Sequence, residues 1–216
     1  KEKVKYLYKK KEERIHTGSC LILITPDSER TMCTFLGTAG KIDDDDVHEK
    51  DLKNAEMVFL EGYLWDEGKP RKAFDKAIIH SKKVAMSLSD LFCVERHKTN
   101  FLELVKNQLD IVFANEQEIL SLINAKSFEE AVSFSREIKK NIIITRGEKG
   151  AVSINKDEIV EIKANSNLNI KDLTGAGDLF AAGYLHGVIN NFEIIECLTK
   201  GTELSSKIIQ KIGARI

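Results

Sequence analysis

Four short, continuously apolar runs recur through the middle of the chain. They are MVFL (57–60), VAMSL (84–88), IVFA (111–114) and IIIT (142–145). Each run is followed by a stretch whose composition suits a helix. Continuous rather than alternating apolar strands are typical of a parallel sheet that helices cover on both faces. The pattern therefore predicts an α/β protein with a doubly wound, mostly parallel sheet and right-handed crossovers.

Two other segments predict β-hairpins. Near the N-terminus, SCLILIT and RTMCTF flank the residues PDSE (26–29). A Pro-Asp turn between two β-rich runs favours a hairpin. Later in the chain, GAVSI and EIVEI flank NKDE (155–158) in the same way. Beyond the second hairpin we expect one helix over residues 177–189 and another over about 192–212.

Composition narrows the class of protein and its partners. Of the 216 residues, 42% are hydrophobic and 31% are charged, and the net charge is -1. This balance indicates no attraction to nucleic acid, and the apolar runs are too short to cross a bilayer. The four cysteines are scattered without a CxxC pair, which favours reduced thiols over a zinc site or disulfides. We therefore expect a cytoplasmic protein with neither a nucleic-acid nor a membrane partner.

Three segments place polar residues or glycines where parallel strands end. They are NEQE (115–118), TRGEKG (145–150) and DLTGAGD (172–178). Ligands of open parallel sheets gather at the carboxyl ends of the strands. If the strands are parallel, all three segments face one crevice.

The third segment combines small residues with an acid at the expected start of a helix. A helix that begins there offers unpaired N–H groups and the positive end of its dipole. Gly175, Ala176 and Gly177 have almost no side chain, so a phosphate can approach those donors closely. Such an anion hole suits a transferring phosphoryl group. Asp178 lies beside it, where a carboxylate can accept the proton of an attacking hydroxyl.

Each segment also has a purely structural explanation when it is taken alone. Asp178 is a first-turn acid that the helix dipole favours. Asn115 and Glu118 have the spacing of a helix capping box. Gly147 and Gly150 suit a tight turn. The sequence motifs leave these alternatives open.

Together the segments resemble the PfkB/ribokinase family of sugar and nucleoside kinases. DLTGAGDLFAAGYL is similar to the family signature D-x-T-G-A-G-D, NEQE to its N-x-x-E, and TRGEKG to its nucleotide-contacting turn. The N-terminal hairpin resembles the lid edge of adenosine-kinase-like members. The likeness runs from Thr17 to Arg215. It implies a ribokinase-like fold in which residues 1–216 form a single α/β kinase domain, with the lid hairpin at about 17–38.

The resemblance implies roles for the residues of the third segment. Asp178 is expected to be the catalytic base that deprotonates the acceptor hydroxyl. Gly175, Ala176 and Gly177 are expected to form the anion hole for the transferred phosphate.

The other two segments are assigned to ATP by the same resemblance. Asn115 and Glu118 are expected to order Mg²⁺ and its waters around the ATP phosphates. Thr145, Gly147 and Gly150 are expected to lie along the nucleotide.

Three further residues receive weaker assignments. Asp172 and Thr174 occupy the place where many relatives bind a monovalent cation such as K⁺. Arg30, on the lid, is a candidate contact to substrate or phosphate. The acidic run DDDD (43–46) is expected to be a solvated helix start rather than a metal cluster.

The chain departs from the family in its length. Family members have about three hundred residues or more, and they begin with strands that carry a Gly-Gly signature and the sugar-binding residues. We expect this chain to correspond to the C-terminal two-thirds of the family fold. It is then an ATP-dependent kinase of a sugar or nucleoside, adenosine among them, or an inactive nucleotide-binding remnant, or a subunit that a partner chain completes. A sheet without its first strands exposes an edge, so we expect a homodimer or a complementing chain.

Overall fold

The computed structural model describes residues 4–7, 14–65 and 68–216. The first two strands form a sheet of their own, β1 (Thr17–Ile24) and β2 (Arg30–Gly37), which pair antiparallel. The N–H of Thr25 donates to the carbonyl oxygen of Glu29 across 2.9 Å and closes the turn between them. The predicted N-terminal hairpin is therefore confirmed.

The central sheet has six strands in the order in which they occur along the chain. They are β3 (Val58–Glu61), β4 (Val84–Ser87), β5 (Ile111–Asn115), β6 (Asn141–Thr145), β7 (Ala151–Ile154) and β8 (Ile159–Ile162). The first four are parallel, and the last two form an antiparallel hairpin at one end of the sheet. The four apolar runs thus form the parallel strands that the sequence predicts, and the second hairpin is also present.

Seven α-helices accompany these strands in the described part of the chain. They are α1 (Glu49–Asn54), α2 (Lys69–His80), α3 (Leu91–Asn107), α4 (Glu116–Ile123), α5 (Phe128–Glu137), α6 (Ala176–Ile189) and α7 (Ile194–Ile208). None of them is long and apolar enough to span a bilayer.

The sheet is covered on both faces, which explains why its strands are apolar without alternation. Alternate residues of β5 belong to opposite cores. Val112 packs in a cluster with residues of α3, α4 and α5, such as Phe101 and Ile119. Phe113 packs in a second cluster with residues of α6 and α7, such as Tyr184 and Leu198. The fold is therefore an α/β sheet with helices on both faces, as the sequence predicts. Its described strands follow one another in chain order without a reversal, so the double winding that the pattern also predicted is not seen there.

The strand β3 forms one edge of the sheet and is less covered than its neighbours. No described strand pairs with its outer side. Phe59 on β3 is 37% exposed, whereas Ala85 and Met86 on β4 are fully buried. The edge beside β3 is thus open in the described part of the chain.

The last helix is shorter than the sequence pattern suggests. It ends at Ile208 rather than near 212, because the following residues turn back toward the loop before α6. Lys171 N–H donates to the carbonyl oxygen of Ile209 across 2.8 Å, and Gly213, with a φ of 90°, donates its N–H to Asp172. These contacts are long-range, and no local pattern announces them.

The acidic run forms a short helix start, as expected. Residues Asp44–Asp46 form one turn of 3-10 helix, and the side chain of Asp43 caps it by accepting from the N–H of Asp45. Asp43 also binds Lys69 across 2.6 Å. Capping and this ion pair explain the position of Asp43.

Candidate active site

Two of the three predicted segments meet because their strands are hydrogen-bonded neighbours. Asn115 is the last residue of β5, Thr145 is the last residue of β6, and the two are paired in the sheet register. The hydroxyl of Thr145 donates to the carbonyl oxygen of Ala114 across 3.5 Å. The N-x-x-E segment and the glycine-containing turn therefore leave the same edge of the sheet side by side.

Asn115 and Glu118 form a complete capping box at the start of α4. The Asn115 side chain accepts from the N–H of Glu118 across 2.8 Å, and Glu118 accepts from the N–H of Asn115 across 2.9 Å and from its amide group across 2.6 Å. Glu118 is only 5% exposed. Burial, together with the charge of Asp90, raises the pKa of Glu118 to about 7 despite the hydrogen bonds from Asn115. The structural role predicted for the pair is present, and it leaves a buried carboxyl at the strand ends.

The glycine-rich segment opens α6 without a side-chain cap. Gly175 is the N-cap residue with a φ of 79°, a left-handed conformation that favours glycine. The N–H of Ala176 donates to the carbonyl oxygen of Leu173 across 3.2 Å. The N–H groups of Gly177 and Asp178 belong to the first turn, which has no intrahelical acceptor for them. In the part of the chain that the structure describes, these two amides are the ones left to meet an anion.

Asp178 lies exposed at this helix start. Its side chain is not packed in the interior, so solvent and ligands can reach it. Its charge acts on Glu61, the last residue of β3. This effect indicates that Asp178 lies near the end of β3, and a crevice shared by all three segments stays a prediction.

Glu61 is a site residue that the sequence motifs do not identify. It is half-buried, and it accepts a hydrogen bond from the hydroxyl of Ser89 across 3.0 Å. Burial raises the pKa of Glu61 to about 7, and the charges of Asp178 and Glu118 add to the effect. One signal was available: an acid directly follows the apolar run 57–60, where a parallel strand ends.

The glycines of the second segment serve different purposes. Gly147 has a φ of 57°, and a Cβ there would meet no other atom. Gly150 has a φ of 100°, and a Cβ there would collide with the carbonyl oxygen of Ile162. Gly150 is thus required by the packing of the turn against β8, which is its structural explanation. Gly147 is required by its backbone conformation alone.

Asp172 is held by hydrogen bonds from its own chain. One of its oxygens accepts from the N–H and the hydroxyl of Thr174 across 2.8 and 2.6 Å, and the other accepts from the N–H of Gly213 across 2.8 Å. Burial opposes its ionisation, but these hydrogen bonds and the positive charge of Arg30 hold the pKa of Asp172 below its ordinary value. Arg30, at the start of β2, therefore lies close to the segment that leads into α6.

The sequence profile of pfkB family carbohydrate kinases matches residues 1–216. The chain belongs to the pfkB family. The resemblance stated from the sequence motifs is thereby confirmed.

Solved structures show the same pfkB fold. A probable sugar kinase from Rhizobium etli CFN 42 superposes with a TM-score of 0.89 at 36% identity, over 95% of this chain and 64% of that one. The adenosine kinase from Sinorhizobium meliloti superposes with a TM-score of 0.87 at 36% identity, over 93% of this chain and 63% of that one. This chain therefore spans less than two thirds of either protein.

A curated pfkB relative gives the same family at lower identity. An uncharacterized sugar kinase of Archaeoglobus fulgidus is 24% identical over 200 residues, which cover 92% of this chain and 79% of the relative. The roles of the individual site residues stay predictions, because these comparisons concern whole chains.

Proposed function

We propose that this chain transfers the γ-phosphoryl group of ATP to a hydroxyl of a sugar or nucleoside. The observation that carries the proposal is the exposed carboxylate of Asp178 beside uncapped amides at the start of α6. A base and an anion-binding group are thereby adjacent on one rigid element. Phosphoryl transfer requires this pair, because catalysis rests on positioning and on stabilising the charge of the peripheral oxygens.

The chain's own residues divide the work as follows. The N–H groups of Gly177 and Asp178, at the positive end of the α6 dipole, donate hydrogen bonds to the oxygens of the transferring phosphoryl group. The carboxylate of Asp178 accepts the proton of the attacking hydroxyl. Gly177 leaves the approach open, since no atom beyond its chain neighbours and the backbone of its own helix lies within 4 Å of the position that a Cβ would take, in the described part of the chain.

Asn115 and Glu118 fit the role of a magnesium-ordering pair. Mg²⁺ prefers oxygen ligands and keeps several of its waters, and a buried carboxylate whose pKa is raised to about 7 gains from a nearby cation. The ion, when bound, neutralises charge on the ATP phosphates. The capping box holds Glu118 in place before the ion arrives. Gly147 and Thr145 then lie along the nucleotide, at the end of the adjacent strand.

Binding of K⁺ at Asp172 and Thr174 stays a prediction. In this structure the carboxylate already accepts three hydrogen bonds from Thr174 and Gly213, which use most of its lone pairs. Arg30 is better supported as an electrostatic partner of Asp172 than as a substrate contact.

A nucleoside such as adenosine is the acceptor that we propose to test first. The support is the 36% identity to the Sinorhizobium meliloti protein, which is named as an adenosine kinase. The four cysteines are free thiols, which supports a cytoplasmic, reducing location.

The experiment incubates the purified chain with Mg-ATP and a panel of adenosine, ribose, fructose and other sugars, and detects phosphorylated products by mass spectrometry. Calorimetry measures Mg-ATP binding in parallel. A phosphorylated product supports the kinase. Mg-ATP binding without any product indicates the nucleotide-binding remnant.

The open edge of β3 favours a subunit as the second candidate function. We propose that this edge, with the exposed Phe59, receives a strand from a second copy or from a complementing chain. Light scattering after size exclusion is expected to show species heavier than the 24.4 kDa chain, and Phe59→Glu is expected to reduce them. A compact, heat-stable monomer contradicts this proposal. Activity that appears only on co-expression with a partner supports it.

A further inference from the structure

An ion pair joins the first turn of α4, which directly follows β5, to the glycine-containing turn that follows β6. The Nε of Arg146 donates to Oε2 of Glu116 across 2.8 Å, and the Nζ of Lys149 approaches Oε1 of the same carboxylate at 3.5 Å. The side chains of Arg146 and Glu116 are 19% and 23% exposed, whereas that of Lys149 is 64% exposed. The Arg146 bond is thus the short and shielded one of the two.

An aromatic ring fixes the other side of Arg146. Its guanidinium carbon lies 3.5 Å from the centre of the Phe128 ring, a distance at which a planar cation stacks on an aromatic face. Phe128 is the first residue of α5. Arg146 is therefore held between a carboxylate on α4 and a ring on α5.

Both partners of the pair sit next to residues of the proposed nucleotide site. Glu116 lies between Asn115 and Glu118 in the first turn of α4. Arg146 follows Thr145, and its backbone organises the glycine-containing turn: its N–H donates to the carbonyl oxygen of Gly150 across 2.8 Å. The hydrogen bond between the side chains of Arg146 and Glu116 thereby connects the capping box to the turn.

The ion pair lies directly beyond the last paired residues of β5 and β6. The β5–β6 register ends at the pair Asn115 and Thr145, so the residues beyond it have no strand hydrogen bonds to keep them together. In the described part of the chain, the two hydrogen bonds that we find between the first turn of α4 and the glycine-containing turn both end on Glu116.

We propose that the Glu116–Arg146 pair is a positioning element that fixes the capping box and the glycine-containing turn relative to each other for nucleotide binding. The proposal rests on the proposed function, because it concerns the two segments that would hold Mg-ATP. Arg146 and Glu116 act through Asn115, Glu118 and Thr145 rather than on the reacting atoms.

A merely stabilising ion pair is the alternative that the test must separate. An ion pair on the surface contributes little to stability. If the pair only stabilises the fold, its removal is expected to leave the neighbouring backbone unchanged. Loss of a positioning pair instead makes the first turn of α4 and the glycine-containing turn less ordered. It also lowers the affinity for the nucleotide, while the fold persists. The chain offers a matched control, since Lys149 binds the same carboxylate from an exposed position.

The experiment compares Arg146→Met with Lys149→Met in two measurements. The first is amide hydrogen exchange of residues 115–118 and 145–150 without nucleotide, where Arg146→Met is expected to speed exchange in both segments and Lys149→Met in neither. The second is the Kd of Mg-ATP by calorimetry. Outer residues that orient ligating groups typically change affinity by tenfold or more, so we expect a Kd about tenfold higher for Arg146→Met and a nearly unchanged one for Lys149→Met. Arg146→Lys, which keeps the charge but not the planar stack, is expected to restore part of the affinity.

Each outcome decides the proposal. Unchanged exchange in Arg146→Met overturns it, whether or not the chain binds a nucleotide. Faster exchange with an unchanged Kd shows a stabilising pair without a positioning role and also overturns it. If the native chain binds no Mg-ATP, the proposed function fails for this chain, and the positioning role fails with it. The exchange data then still establish whether the ion pair holds the first turn of α4 and the glycine-containing turn together.

Discussion

The hydroxyl of Ser89 donates a hydrogen bond to the carboxyl group of Glu61 across 3.0 Å. The bond ties the end of β3 to the loop after β4. Ser89 has a φ of 74°, and a non-glycine residue in this left-handed region is strained unless its surroundings hold it there. The N–H and the hydroxyl of Tyr63 both donate to Ser89. These bonds hold a half-buried acid in place at the end of β3.

Glu61 is expected to make stability depend on pH. Its pKa is raised to about 7 in the folded chain from an ordinary value of 4.5. Its contribution to the free energy of unfolding is therefore fully present below about pH 4.5 and is lost as the pH rises through about 7. Glu61→Gln removes this titration. The stability of the native chain is therefore expected to fall relative to that of the variant by ~2 kcal/mol over this range, because partial exposure to solvent reduces the ~3 kcal/mol that the full change in pKa would give.

The check is the Tm of both proteins across this pH range. The charged groups that act on Glu61 are Asp178 and Glu118, and both are kept in the variant. Glu203→Gln, at an exposed position on α7, is the matched control. Parallel Tm curves for the native chain and Glu61→Gln would show that this carboxyl is not held as described.

Gly177→Ala is expected to separate stability from function. The residue has helical backbone conformation in α6, and a Cβ there meets nothing within 4 Å. Alanine within a helix is favoured over glycine, so the free energy of unfolding is expected to rise by about 0.5 kcal/mol. The added methyl group lies where the phosphoryl group must approach, so transfer is expected to fall about tenfold or more. Chemical denaturation and a kinase assay on the same preparation measure both effects. Unchanged transfer would argue against the anion-binding role of this helix start.

Gly150→Ala is expected to behave in the opposite way. Its Cβ would collide with the carbonyl oxygen of Ile162, at a backbone φ of 100°. We expect the free energy of unfolding to fall by about 2–4 kcal/mol. Thermal unfolding of the variant measures this, and a stability close to that of the native chain would contradict the packing described for the turn.

Glu118→Gln distinguishes the capping role of this residue from its role toward magnesium. Glutamine at the third position also completes a capping box, and it removes a buried acid. The Tm at neutral pH is therefore expected to be equal or higher. The Kd of Mg-ATP is expected to rise about tenfold, because a water-ordering carboxylate is lost. A lower Tm with an unchanged Kd would mean that Glu118 serves the helix alone.

Local patterns were sufficient for much of the fold and for part of the site. The four parallel strands were predictable because both faces of the sheet are covered, which makes the runs continuously apolar. The contact between Asn115 and Glu118 was predictable because a capping box lies within one turn. The glycine-rich start of α6 was predictable because its residues are also consecutive in the chain.

Contacts between distant segments were not predictable in this way. The charge of Asp178 acts on Glu61 only because the sheet order and the position of α6 bring the two residues near each other, and no motif contains both. Arg146 meets Glu116 because β5 and β6 are neighbours, and each residue alone resembles an ordinary surface charge. The early end of α7 depends on Gly213 reaching back to Asp172.

The central claim is that Asp178 is the base of a phosphoryl transfer at the start of α6. The most direct measurement is the single-turnover rate of transfer from Mg-ATP to the acceptor found in the panel, for the native chain and for Asp178→Asn. The Kd of Mg-ATP is measured alongside it. If Asp178 is the base, the rate is at least about 10²-fold lower for Asp178→Asn, with little change in the Kd. An undiminished rate in Asp178→Asn would contradict it.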